Sequence, residues 1–571
     1  MSSLDDLGRV ICADLLVIGG GLGGLVASIK GRESGADVLV VDKGGIGWAG
    51  QVPLSGGRCM IVPPEDDLDA WVKWAVEGGE YLNNQDWAYA FGGDTHKCMM
   101  EIADWEMPFI TDDKGQIEVI QRMRAYKAVQ FKTDKFMLRL RRHAVRQGVR
   151  TLNKIEVVDL LQKDGRVVGA VGFDLIDGEF CIFKAKATII ANGSSRYKRQ
   201  KLFNMNCGEG VAMAYRAGAE MINAEFSNTY GFTLKDYEVF TRDPIYYLFV
   251  NARGERVLEK HYPELAAGKE PGGEMQDYSK IVDAMAKEVK AGNGPIYFDI
   301  SQARPEEMDM IRGKALKTER LGRALFMNPW TVTRAKGSID MNADKVEFMP
   351  MFVGGQGPIR IGLECETTVE GLWAVGDASA LGCAWSGARA PGSRPALGVP
   401  FAIVSGYRAG VSAGKAIADI PDPVVDASSA REAKEIAFAP MRRETGILPF
   451  DVVYRVHEVV VPLDYNFYRT AERLREGIAK IEAARDGLPE VKAGNPHELM
   501  KYHEAVGMAN SAELTFRAAL MRAESRGTHR RLDFPARDDA NWLCWIVQKR
   551  AGDEIQMYTE PVPVERFRYR P

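Results

Sequence analysis

Apolar residues come in short blocks along this chain, each closed by glycine or a turn residue. LLVIGGGLGG at residues 15–24 is such a block, opening directly into glycines. It predicts a short strand over Asp14–Gly19 and a helix over Leu25–Ser34, whose apolar residues recur at helical spacing up to Gly35. ADVLVVDK then predicts a second, parallel strand ending at Asp42. Two later blocks repeat the strand-then-glycine pattern: KATIIANGSS, ending at Ser195, and TTVEGLWAVGDAS over 367–379. Towards the C-terminus the period changes. RTAERLREGIAKIEAARDG (469–487) and HELMKYHEAVGMANSAELTFRAALMRAES (497–525) carry apolar residues every three to four positions and predict two long helices. EMQDYSKIVDAMAKEVKAGNG (274–294) predicts an amphipathic helix with a solvated charged face.

Gly19, Gly21 and Gly24 satisfy G-x-G-x-x-G between strand and helix. The first allows a tight turn, the second lets backbone approach a pyrophosphate, and the third lets the helix lie on the strand. Asp42 stands about twenty residues further on, where a carboxylate accepts from ribose hydroxyls. Asp42 and the adjoining Lys43 are therefore candidate cofactor contacts. The later blocks choose between dinucleotides. Ala191 and Gly193 lie in an exposed glycine turn, and Gly376-Asp377 closes a strand where a flavoprotein places an aspartate near the ribityl chain or pyrophosphate. One G-x-G-x-x-G with these two elements predicts FAD, and no second such motif marks a separate NAD(P)H domain.

Composition narrows the classes. A chain of 571 residues exceeds one compact core, so two or three domains are expected. The net charge of −4, without a basic block, argues against nucleic acid. No apolar run reaches the length of a membrane span. The N-terminus MSSLDDLGRV has no export features, so a cytoplasmic location is expected. The eight cysteines show no C-x-x-C spacing and read as reduced thiols, not as metal or cluster ligands.

Segments spread along the chain resemble the flavoprotein subunits of the succinate dehydrogenase/fumarate reductase family. QVPLSGG (51–57) stands at the family's flavin-contacting segment, making Ser55, Gly56 and Gly57 candidate contacts. NCGEGVAMAYRAGAEM (206–221) is similar to N-x-G-D-G-x-x-M-A-x-x-A-G-A, with Glu209 for the usual aspartate. SRPALGVPFAIVSGYRAG (393–410) stands at the arginine- and glycine-rich loop and the helix directed at the isoalloxazine, which makes Pro400 a candidate. VNARGERVLEK, GPIYFDI and RAESRGTHRRLDFPARDDANWLCWIV are further matches. The resemblance implies an α/β chain: a discontinuous Rossmann-like FAD-binding domain, an inserted α+β capping domain and a C-terminal helical domain. The expected boundaries are 1–230 and 351–435 for the FAD domain, 231–350 for the cap and 436–571 for the helical domain.

The departures bear on activity. Where succinate and fumarate enzymes carry H-P-T-G this chain has SNTYG, with Asn228 at the histidine. Asp283 stands at the proton-delivering arginine, and Pro350 in PMFVGG replaces a further histidine. A dicarboxylate needs cations, and its reduction needs a proton donor. The resemblance therefore does not carry over succinate dehydrogenase, fumarate reductase or L-aspartate oxidase activity. Arg389 or Arg394 stands at the loop arginine. Tyr230 is either a hydrogen-bond donor over the flavin or a packed core tyrosine, and Trp48 and Trp385 either stack near the ring or fill core. No histidine precedes QVPLSGG, so FAD is expected to be noncovalent. ETTVEGLWAVGDASALGCAWSGA is similar to the adenylylsulfate reductase α-subunit branch, which implies an iron–sulfur or ferredoxin-like partner chain. The expected activity is an FAD-dependent oxidoreductase acting on a small anionic or CoA-type substrate, in an oligomer. The alternatives are an electron-transfer flavoprotein without its own substrate chemistry and a stand-alone flavin oxidase or dehydrogenase.

Overall fold

The structure is a computed structural model. It describes residues 3–48, 50–55, 57–123, 126–199, 205–235, 239–240, 248–264, 278–299, 345–380, 387–388, 398–552 and 554–571, with single positions 301, 303 and 305.

The first glycine block does form strand–helix–strand. Strand β1 (Arg9–Ile18) leads into helix α1 (Leu22–Glu33) and strand β2 (Val38–Asp42), with Val17 opposite Val40 in parallel register. Both elements begin earlier than their apolar runs. Arg9–Ala13 is exposed or only half-buried, yet it pairs with Cys181–Ala185. Strands β3 (Arg150–Asn153), β4 (Ile155–Lys163), β5 (Arg166–Asp174), β6 (Phe180–Ile190) and β7 (Leu372–Ala374) complete the sheet. Its order is β3-β2-β1-β6-β5-β4. β5 runs antiparallel along the start of β6, and β7 runs parallel beside its last residues, Thr188–Ile190. Leu15, Leu16 and Val17 have no exposed surface, as expected of a strand covered on both faces.

A second helix, α2 (Gly398–Ala416), lies along α1 in the same direction. A Cβ on Gly406 would sit 2.4 Å from the Gly23 carbonyl oxygen, and one on Gly410 would sit 2.4 Å from that of Ala27. Glycine at these two positions is what lets the helices touch backbone to backbone. Because the contacts advance together along both helices, their N-termini lie at one end, beside the C-terminal ends of β1 and β6.

A five-stranded sheet built from Thr229–Leu234, Val239–Phe240, Phe249–Val250, Ile296–Phe298 and Val346–Gly354 forms the inserted cap. Phe232, Phe249, Phe298 and Phe348 stack edge to face or tilted in its core, with ring centroids 5.0–6.4 Å apart. The cap helix Tyr278–Lys290 departs from the solvated face expected of it. Asp283 and Glu288 are buried. Glu288 accepts from Asn251 and Asn293 and meets His261, while Asp283 accepts from the hydroxyls of Tyr262 and Tyr468.

The C-terminal region contains helices α3 (Pro449–Val460), α4 (Ala471–Asp486) and α5 (Pro496–Met521) around Val456, Leu474, Ile481, Met508 and Phe516. It is not wholly helical. Strands β8 (Cys544–Ala551) and β9 (Glu554–Pro561) form a hairpin, and β8 also pairs with Met221–Ile222 of the FAD-binding region. CWIVQK opens with four consecutive apolar residues, without strand alternation, and lies beyond the helical patterns at 469–487 and 497–525. The junction is held by buried charge: Arg522 donates to Glu225 and Glu524, all three fully buried, and to the carbonyls of Trp542 and Cys544. No helix among the described residues is long and apolar enough to cross a membrane.

Two histidines in this region are neutral in the fold. Burial pushes His503 down to about 3 from its ordinary 6.5. Burial, reinforced by Arg469 and Arg522, holds His529 well below that value as well. Both contributions to stability are present above the ordinary histidine range. They are lost as pH falls through it, because the unfolded chain takes up protons that the folded chain refuses. The thermal midpoint is expected to drop from about pH 6.5 down to about pH 3, where His503 itself protonates in the fold, and His503→Gln should flatten part of that slope in calorimetry.

Candidate functional site

The three motif glycines meet three different surroundings. Gly19 has φ +112°, and a Cβ there would lie 2.6 Å from the backbone of Ala191 and Asn192. A Cβ on Gly24 would lie 2.0 Å from the Gly19 carbonyl oxygen. These two glycines are demanded by the fold. Gly21 is not: its φ is −72°, and the nearest atom to an added Cβ is 3.9 Å away. The protein leaves space in front of Gly21, at the first turn of α1, where unpaired N–H groups and the helix dipole favour phosphate. A cradle of this kind fits the pyrophosphate of a dinucleotide.

Asp42 closes the same end. Its carboxylate accepts from Gly20 N–H at 2.7 Å and Gly44 N–H at 2.6 Å, which fixes the glycine loop against β2. Each oxygen keeps a further lone pair for a ribose hydroxyl. Ala191 continues β6, its N–H on the Ile18 carbonyl, and Gly193 follows with φ +78°. Gly376 stands at the end of β7 with φ +60°, and its N–H donates to Ser405 Oγ on α2. Asp377 accepts from Gln51 Nε2 at 2.9 Å, and Gln51 Oε1 accepts from Arg196 at 2.6 Å. Burial pushes the Asp377 carboxyl up, with Arg196 and Gln51 pulling it back. Gly57 has φ +59° and donates to Ser55 Oγ, while Pro400 is buried in the first turn of α2. Three strand ends and two parallel helix N-termini thus converge with the 51–57 segment. These residues fit an extended dinucleotide lying from Asp42 towards Asp377.

Some predicted site residues are placed differently. Lys43 is not directed to a cofactor. Its ammonium pairs with Glu209 and with Glu504 at 2.8 Å, and Glu504 also pairs with Lys198 at 2.6 Å. Burial works against the Lys43 charge, but the two carboxylates outweigh it and keep it protonated. Tyr230 is a core tyrosine. Its hydroxyl donates to the Val460 carbonyl at 2.7 Å and its ring packs on Phe352 and Phe467. Asp283 cannot stand in for a proton-delivering group, since Tyr262, Tyr468 and Lys287 claim its carboxylate. Trp48 is exposed. Asn228 is buried between the cap and the FAD-binding region. Gly56, Trp385, Arg389 and Arg394 lie outside the described residues.

Sequence reading did not single out Gln51, Arg196, Gln356 or Glu504. Gln51 opens the QVPLSGG segment and Arg196 follows the second glycine turn, so position alone could have raised both. Glu504 gave no signal, because a glutamate in a long helix ordinarily faces water.

This is the architecture of an FAD-dependent flavoprotein. The family described as "FAD binding domain" matches residues 14–390, and "Fumarate reductase flavoprotein C-term" matches 460–571. The chain belongs to the flavoprotein subunits of the succinate dehydrogenase/fumarate reductase family and binds FAD. It is 25% identical over 544 residues to a subunit of the CoM/CoB fumarate reductase of Methanothermobacter marburgensis, covering 91% of this chain and 94% of that one. It is also 25% identical to a fumarate reductase flavoprotein subunit of Mycobacterium tuberculosis, covering 97% and 98%. Solved adenylylsulfate reductase from Archaeoglobus fulgidus shares the fold, with TM-score 0.78 and 20% identity over 100% of this chain and 99% of that one.

Two substitutions separate the roles of the glycines. Gly21→Val is expected to weaken FAD binding by about a hundredfold or more while leaving the cofactor-free thermal midpoint nearly unchanged. Gly24→Ala is expected to lower cofactor-free stability by roughly 1–3 kcal/mol in denaturant titration. Lys43→Met strands the buried Glu209 carboxylate and leaves Glu504 with Lys198 alone, and should destabilise the fold by about 3–5 kcal/mol, read by the same titration.

Proposed function

We propose that this chain is the flavoprotein component of a two-component oxidoreductase. It exchanges electrons between a small anionic or CoA-type substrate and an iron–sulfur or ferredoxin-like partner, as part of an oligomer in the cytoplasm. The observation that carries the reading is the open cradle at Gly21, set where β1, β6 and β7 end and both helix N-termini point. Both fumarate reductase relatives are themselves subunits, which supports a partner chain.

In this reading residues 1–230 and 351–435 form the FAD domain, 231–350 the cap and 436–571 the C-terminal domain. Gly19, Gly21, Gly24 and Asp42 serve the adenosine and pyrophosphate. Ala191, Gly193, Ser55, Gly56, Gly57, Gly376, Asp377 and Pro400 serve the ribityl chain and ring. When bound, FAD supplies the group that accepts or donates hydride, and the cap keeps water from it. Arg389 or Arg394 anchors the substrate, and Asn228 occupies the substrate side. The cofactor is held without a covalent bond, because no histidine stands before QVPLSGG.

Asn228 and Pro350, where succinate and fumarate enzymes carry histidines, argue for a substrate other than a dicarboxylate. They also support a second reading, an electron-transfer flavoprotein without substrate chemistry of its own. Native pull-down followed by acid precipitation and a turnover panel of acids, thioesters and sulfur oxyanions separates the two. The expected result is flavin released by acid, a co-purifying iron–sulfur protein and turnover of one class. Reduction by the partner without turnover of any class would favour the second reading. Yellow protein with no partner would point to a stand-alone oxidase or dehydrogenase.

A further inference from the structure

We propose that Asn228, Gln356 and Ser195 form a subsite for a neutral carbonyl group, such as that of a thioester or ketone, on the substrate side of the flavin. The proposal rests on the flavoenzyme reading above.

The three residues come from three segments that the fold brings together. Ser195 ends the glycine turn after β6, Asn228 precedes the first cap strand, and Gln356 follows the last one. Ser194 Oγ donates to the Gly355 carbonyl at 2.6 Å, and Gln356 N–H donates to the Ser227 carbonyl at 3.1 Å. Gly357 N–H donates to the Asp377 carbonyl at 2.7 Å, which sets the cluster beside the flavin-side aspartate. A Cβ on Gly355 would lie 2.3 Å from the Ser195 carbonyl oxygen and 3.5 Å from Asn228 Oδ1, so the segments are in contact.

Ser195, Asn228 and Gln356 are 4%, 4% and 8% exposed. Both amide atoms of Asn228, Nε2 of Gln356 and Oγ of Ser195 are buried and make no hydrogen bond of proper geometry. Each such group is costly to the fold while unmatched, so the cluster calls for a polar occupant.

The chemistry of that occupant follows from the donors. Two amide NH2 groups and a hydroxyl stand against a single free amide oxygen, so the cluster complements an acceptor. The carboxylate beside it, Asp377, accepts from Gln51 and would repel an anion. The Tyr197 hydroxyl, which faces Ser195, Asn228 and Thr515, stays protonated because burial raises its pKa. The guanidinium of Arg196, on the same loop, is turned to Gln51. A carbonyl oxygen gains hydrogen bonds here without needing a counter-cation, whereas a carboxylate would find no cation of the described residues turned towards it. Tyr197 and Lys198 are both in the left-handed region, at φ +54° and +51°. Two successive strained non-glycine residues hold Tyr197 in place, as is usual where a site is fixed in advance.

Crotonamide and crotonate share a shape and differ in charge, so they are the probes. Each is titrated into the FAD-loaded protein, with binding read by calorimetry and by perturbation of the flavin band. Crotonamide is expected to bind about tenfold or more tightly than crotonate, and Asn228→Leu and Gln356→Leu should each weaken it about tenfold. Flavin content and thermal midpoint report folding, and Gln356→Leu carries the test if Asn228→Leu does not fold. Crotonate binding as tightly as crotonamide would overturn the proposal. So would unchanged crotonamide affinity in the folded variants. Binding of neither probe to fully loaded protein would mean that water alone fills the cluster, with the same consequence. Failure to load FAD would instead overturn the flavoenzyme reading, and the subsite with it.

Discussion

The close parallel contact of α1 with α2 is the constraint on which the site depends. Gly23, Gly406 and Gly410 let one backbone rest on the other, and the advance of the contacts fixes both helices in one direction. Their N-termini therefore share an end with β1, β6 and β7. That geometry gathers partial positive charge from two helices over one strip of surface. Segments some 380 residues apart in sequence become one binding surface only because this contact holds them.

A second tie secures the surface from below. Lys43 directly follows Asp42, whose carboxylate fixes the glycine loop, and its ammonium binds Glu209 and Glu504. Glu504 belongs to α5, so a residue in the C-terminal region fixes the end of β2. Lys198 joins the same carboxylate from the loop carrying Arg196 and Tyr197. Opposite charges balance in this cluster, and the desolvation of each is offset only while all are present. The C-terminal region is thereby part of the cofactor site's support, not an appendage to it.

The cofactor side of the fold was legible because its requirements are backbone requirements. A glycine at φ +112° beside Ala191, or one against the Gly19 carbonyl, admits no other residue, so the motif survives in the sequence as glycines. The C-terminal hairpin was not legible, because β8 pairs with a two-residue strand at Met221–Ile222 that no local pattern marks. Lys43 misled for a related reason. Its neighbour Asp42 serves the glycine loop, and nothing in ADVLVVDK reveals carboxylates arriving from residues 209 and 504. The cap helix misled through its charges, which are buried against partners distant in sequence. Side-chain pairing across domains leaves no periodic trace, whereas backbone strain and close approach do.

The treatment of buried polar groups separates support from recognition. Arg522 has no exposed surface, yet its three guanidinium nitrogens all find acceptors: Glu225, Glu524 and two main-chain carbonyls. Such saturation rigidifies the junction and leaves nothing to offer a ligand. Asn228 is nearly as buried and has neither amide atom matched. One chain thus contains a saturated guanidinium and an incomplete cluster. The incomplete cluster lies where cap and FAD-binding region meet, beside Asp377. A buried donor left unmatched is costly to the fold until something completes it. On the proposed reading, the amide of Asn228, where the resemblance leads one to expect a histidine, changes the charge of the partner that completes the site.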